Sequence, residues 1–109
     1  MKYSCLILMN ICNKHIVSLT EPHGEKIVNM GVVQMRVTTE LETNVRTIIS
    51  YVRNASQRRI SLLCFPECCL SGYIVDLARL DYKAIAQSLI ELQEVSNRFN
   101  VSLLIGTPW

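Results

Sequence analysis

An α/β fold is predicted for this 109-residue chain by two alternating hydrophobic patterns and by the lengths that separate them. Short, nearly continuous apolar runs occupy residues 27–35, 60–65 and 101–105, as strands of a buried parallel sheet do. Between them, apolar residues recur at steps of three and four, which places them on one face of an α-helix. Each such stretch is long enough to carry the chain from one parallel strand to the next. Half of the residues are apolar and 18% are charged, a balance that belongs to globular chains and not to disordered ones. The length allows one domain at most.

The first strand is expected over residues 27–35, where Ile-Val-Asn-Met-Gly-Val-Val-Gln-Met is rich in β-branched side chains and reads as buried on both faces. Thr38 and Thr39 are candidate N-caps, and Glu42 stands three residues after Thr39 as a capping box requires. Leu41, Val45, Ile48, Ile49, Val52 and Ala55 then form the apolar face of a first helix. Arg58 and Arg59 at its end complement the partial negative charge of a helix C-terminus, which accounts for this small basic cluster without invoking nucleic acid. A second strand over residues 60–65 stops at Pro66, which has no N–H for a sheet ladder. Tyr82, Ile85, Ala86, Leu89, Ile90, Val95 and Phe99 mark a second helix, and Asn100 suits a left-handed cap. A third strand over residues 101–105 leads into Gly106, Thr107, Pro108 and Trp109. The order is β-α-β-α-β.

Residues 1–26 show no clean periodicity and end in a polar, turn-rich stretch, so they read as a poorly defined leader to a domain over residues 27–109. His15 and His23 fall in this leader without partners at metal-ligand spacing. The apolar start lacks a small-x-small cleavage site and is interrupted by Asn10, Asn13 and Lys14, unlike a secretory signal. No apolar run reaches the roughly 18 residues of a membrane span. Five cysteines, an odd number with Cys68 and Cys69 adjacent, do not form a secreted disulfide framework and favour a reducing, cytoplasmic setting. A net charge of +2 without a basic stripe gives no footprint for nucleic acid.

In an open parallel sheet, ligands bind in the crevice at the carboxyl ends of the strands. Glu67 stands there, just after the second strand, with Pro66 fixing the backbone before it and Gly72 allowing an unusual turn after it. Such a carboxylate is placed to act as a general base. The same position also suits a glutamate that points into water, and spacing alone does not choose between the two.

A longer block of residues does. Phe65-Pro66-Glu67-Cys68-Cys69-Leu70-Ser71-Gly72-Tyr73 resembles the segment in which enzymes of the nitrilase superfamily, the carbon–nitrogen hydrolases, carry the glutamate of their Glu-Lys-Cys triad. Val32-Val33-Gln34-Met35 resembles that family's opening strand, Asn44 matches an asparagine early in its first helix, and Leu103-Leu104-Ile105-Gly106-Thr107-Pro108 resembles the strand after its second helix. The resemblance implies the start of an α-β-β-α sandwich, incomplete in these residues, with Glu67 as the base that takes a proton from a cysteine thiol. The thiol attacks a small-molecule amide or nitrile, a lysine stabilises the oxyanion, and water releases the acid. No cofactor is implied, and members of the family commonly form homo-oligomers.

The same resemblance places the lysine and the nucleophilic cysteine on later elements than this sequence contains. Lys83 lies too early to be that lysine. Cys68 and Cys69 directly follow Glu67, but neighbours in an extended segment point apart, and Cys64, Cys68 and Cys69 lack the paired spacing of a zinc site. The 109 residues are therefore expected to be inactive by themselves and poorly stable, because the third strand lacks an outer neighbour. The alternative is a non-catalytic α/β interaction module that pairs with another chain through that exposed strand.

Overall fold

The computed structural model describes residues 6–9, 28–73 and 76–108. His15 and His23, the boundary drawn at residue 27, and Trp109 lie outside the described residues. Strands β1 (Leu6–Met9), β2 (Met30–Val32), β3 (Leu62–Cys64) and β4 (Ser102–Gly106) form one sheet in the order β1-β4-β3-β2. Helix α1 (Leu41–Gln57) joins β2 to β3, and helix α2 (Tyr82–Phe99) precedes β4. Strands β2, β3 and β4 are parallel, and β1 runs antiparallel to β4. The chain is thus α/β, and from β2 onward it follows the β-α-β-α-β progression that its hydrophobic pattern predicts.

Register explains which side chains make the core. Gly31, Leu63 and Leu103 lie in one row across the sheet, with Met30, Leu62 and Ser102 on one side of it and Val32, Cys64 and Leu104 on the other. Side chains alternate between faces along a strand, so the middle row points one way and the flanking rows the other. Leu63 and Leu103 are buried with Ile48 and Val52 of α1 and Leu92 of α2, so both helices pack on the same face. Burying a Leu or Ile side chain fully contributes about 1.5–3 kcal/mol, and Ile48, Leu92, Leu103 and Ile105 all reach full burial.

This arrangement corrects two expectations. Strand β2 is not buried on both faces: Met30 is 58% and Val32 80% exposed, because the helices cover only the opposite face and no strand among the described residues pairs with the outer side of β2. Nor does β4 lack an outer neighbour, since Leu6–Met9, within the stretch read as a leader, occupies that edge. The two edge strands of the sheet, among the described residues, are therefore β1 and β2.

The helix ends show how local chemistry sets the strands that follow. Helix α1 is capped by Glu40 and not by Thr38 or Thr39, and Glu40 makes no side-chain capping bond. The capping-box spacing fails because Thr39 then stands one position too early, and Glu42 pairs with Arg46 one turn along the exposed surface instead. The Thr38 hydroxyl accepts from the Glu40 N–H at 3.1 Å, which tightens the approach to the helix. At their C-termini both helices use one device. Ile60 N–H donates to the Ala55 carbonyl at 3.0 Å across Arg59, and Val101 N–H donates to the Ser96 carbonyl at 3.2 Å across Asn100. Arg59 and Asn100 both sit in the left-handed region, at φ 58° and 54°. This is the six-to-one bond of a Schellman cap, and it turns Ile60 and Val101 back toward the core at the start of β3 and β4. Asp81 caps α2 at its other end by accepting from the Ala84 N–H at 3.0 Å.

Candidate functional site

The segment that follows β3 carries Glu67, and its course is set at every step. Phe65 N–H makes the last rung to β4, donating to the Leu104 carbonyl at 3.0 Å. Its ring meets Tyr51 of α1 edge to face, with centroids 6.5 Å apart. Pro66 then offers no donor, so the ladder cannot continue. The chain turns over residues 67–71 and closes when Gly72 N–H donates to the Cys68 carbonyl at 2.9 Å.

Glu67 is exposed at the carboxyl ends of β3 and β4. The last residue of β4 comes close to it: a Cβ added to Gly106 would stand 3.5 Å from Glu67 Cα and 3.8 Å from its Cγ. Thus the glutamate lies over the ends of two adjacent parallel strands, where crevices of open α/β sheets form. Two surface grooves of about 450 and 400 Å³ lie elsewhere, one along α1 beside Arg46 and Arg53, the other between α1 and α2 beside Val45 and Ser88. Glu67 lines neither of them.

Cys68 and Cys69 are buried, at 2% and 0% exposure, in a tight turn and not in an extended segment. Cys68 itself takes the left-handed conformation at φ 54°, which for a side chain with a Cβ costs energy that the surrounding packing must supply. Burial raises the Cys68 thiol above its ordinary value, and the charge of Glu67 beside it raises it further. Burial pushes Cys69 up to about 12, with a backbone hydrogen bond at its own residue partly opposing. Both thiols stay protonated near neutral pH, so neither is an activated nucleophile. Cys64 points to the other face of the sheet, with its sulfur 3.7 Å from that of Met30. Among the described residues, no three His, Cys, Asp or Glu groups gather to hold a metal ion. Lys83 is exposed on the first turn of α2.

Asn44 is the residue whose importance the sequence reading underrates. It is fully buried on the apolar face of α1, between Leu41 and Ile48. Its amide nitrogen donates to the carbonyls of Thr38 and Leu70, each at 2.7 Å, and its oxygen accepts from the Thr38 N–H at 2.9 Å. The signal was present in the sequence: a carboxamide among residues at three- and four-residue steps must find buried partners or leave a costly polar void. Gly72 closes the same junction from the other side. At φ 71°, a Cβ there would fall 2.5 Å from the Thr38 carbonyl oxygen.

A model of the carbon–nitrogen hydrolase family matches residues 29–108. Neither the curated proteins nor the solved structures gave a match. The matched span carries all three parallel strands, both helices, and the turn that holds Glu67. On this match over most of its length, the chain belongs to the carbon–nitrogen hydrolases of the nitrilase superfamily.

Proposed function

We propose that Glu67 is the general base of a carbon–nitrogen hydrolase that acts on a small amide or nitrile. The observation that supports this reading is the contrast within one turn: Glu67 is exposed at the carboxyl ends of β3 and β4, while the thiols that follow it are buried and protonated. A rigid backbone then presents a carboxylate to a reactant and withholds the neighbouring sulfurs from it. In the chemistry of this family, Glu67 takes the proton of a thiol, and the thiolate attacks the carbon of the substrate. A fixed lysine cation stabilises the oxyanion, and the carbon–nitrogen bond of an amide breaks as Glu67 hands its proton to the departing amine. Water, deprotonated by the freed carboxylate, then attacks the thioester, which releases the acid while Glu67 returns the proton to the thiol.

On this reading the 109 residues hold the base, and the family's lysine and nucleophilic thiol are not among them. No helix among the described residues is long and apolar enough to cross a membrane. The odd count of five cysteines, with Cys68 and Cys69 adjacent, supports a reducing, cytoplasmic setting as part of this proposal.

The test is ammonia release from small amides and nitriles by the longest reading frame that contains these residues, with and without Glu67→Gln. Turnover that falls by at least about 100-fold in the variant supports the reading. Turnover indifferent to Glu67→Gln removes the base, and Glu67-dependent hydrolysis by the 109 residues alone would return the nucleophile's role to the turn's own cysteines.

A further inference from the structure

We propose that Asn44 is the positioning residue of Glu67: it fixes the turn that carries the carboxylate to the helical layer and thereby sets where the base stands over the sheet. The assignment rests on the reading of Glu67 as the base.

The backbone bonds on either side of this turn do not fix it to the helical layer. On its near side, Pro66 has ended the ladder after the Phe65–Leu104 bond. On its far side, the bond from Gly72 to Cys68 closes the turn on itself but ties it to nothing outside. Among the described residues, a side-chain hydrogen bond reaches this turn from another element where the Asn44 amide donates to the Leu70 carbonyl. Three further bonds orient that amide. Its second N–H donates to the Thr38 carbonyl, and its oxygen accepts both the Thr38 N–H and, at 3.0 Å, the Thr38 hydroxyl. All four hydrogen-bonding positions of the carboxamide are thereby used, so the group cannot rotate without losing partners.

Gly72 gives this frame its second contact. Its lack of a Cβ lets the chain press against the Thr38 carbonyl, the same oxygen that Asn44 grips. Thr38 is therefore held between Asn44 and Gly72, and the stretch from Glu67 to Gly72 is fastened to the start of α1 at two points. On the opposite side the backbone of Gly106 leaves room for a Cβ at an ordinary contact distance of 3.5 Å from Glu67 Cα, so β4 flanks the turn without clamping it. A base must lie within hydrogen-bond reach of the proton that it removes, so such a frame bears directly on its chemistry.

Nuclear magnetic resonance of the 109-residue chain tests this without any substrate. Amide exchange is measured at Gly72 for the turn and at Phe65 and Ser102 for the sheet, together with the nuclear Overhauser contact between the α-protons of Glu67 and Gly106. Two variants are compared, Asn44→Ala and Asn44→Asp, the second keeping the shape of the side chain but losing its donors. Expected are exchange at Gly72 at least about tenfold faster, sheet amides within about twofold, and a weakened Glu67–Gly106 contact in both variants. Unchanged turn exchange and contact would overturn the proposal. So would a parallel rise at all three amides, which would make Asn44 a residue of general stability. If neither variant folds, the wild-type chain in graded denaturant decides: Gly72 opening together with the Asn44 amide supports the frame, and Gly72 opening earlier on its own overturns it. Because none of these readouts uses hydrolysis, a Glu67→Gln variant that kept its turnover would refute the base and leave the frame to be judged separately.

Discussion

The side-chain amide of Asn44 and the backbone carbonyl of Leu70 meet at 2.7 Å across 26 positions of sequence, and this bond joins the first helix to the turn that bears Glu67. Its geometry depends on Thr38, whose backbone and hydroxyl occupy the other faces of the carboxamide. Two adjacent threonines therefore have very different roles although the sequence offers them as equivalents.

Thr38→Val removes the acceptor for the Glu40 N–H and the hydroxyl donor to Asn44, and should cost about 1 kcal/mol, the usual scale for loss of a helix-start hydrogen bond. Thr39 is exposed, and Thr39→Val should stay within about 0.5 kcal/mol. Chemical denaturation of the two variants is the measurement. Equal effects, or a larger loss at Thr39, would restore the capping box that the structure replaces with Glu40.

Gly72→Ala tests the same junction by sterics. The added methyl carbon would lie 2.5 Å from a backbone oxygen, which has no flexible end to move aside, and the residue would have to keep φ at 71°. Left-handed backbone costs a residue with a Cβ roughly 1–2 kcal/mol before any clash is counted, so the total loss should exceed that. Gly106→Ala provides the contrast, since its new carbon would meet Glu67 at ordinary contact distances of 3.5 and 3.8 Å. A melt in which Gly72→Ala is no worse than Gly106→Ala would mean that the turn can leave Thr38 freely.

These comparisons show what the sequence could and could not reveal. Both helices were legible, because a stripe of apolar residues at steps of three and four has no other economical fold. The expected strands run too long: β2 makes its last bond to β3 from the Val33 N–H to the Cys64 carbonyl at 2.8 Å, while Met35 packs against the core beyond it, so composition marks what packs and not what pairs. Leu6–Met9 gave no strand signal of its own, since four apolar residues become β1 only through the register that β4 offers them. Pro66 and Gly72 did announce a special turn around Glu67. The left-handed Cys68 inside it was not visible, because a cysteine there is decided by long-range packing and not by local preference.

Alkaline pH should expose the burial of the turn's thiols. Cys69 has a folded value of about 12 against 9.0 for a free thiol, so the folded chain holds its proton over a range in which the unfolded chain releases it. The stabilisation is complete below pH 9 and is lost as pH rises through the folded value, because the unfolded state gains by ionising first. Over that window stability should fall by up to about 1.4 kcal/mol per pH unit from this group, with Cys68 adding in the same direction. Denaturant titrations at pH 7, 9 and 10.5 on wild type and Cys69→Ala provide the check. The variant should begin less stable, because it leaves a small cavity, and should lose less between pH 9 and 10.5. Identical slopes in the two proteins would show that Cys69 ionises as readily in the folded chain as in water, and that the turn beside Glu67 is open to solvent.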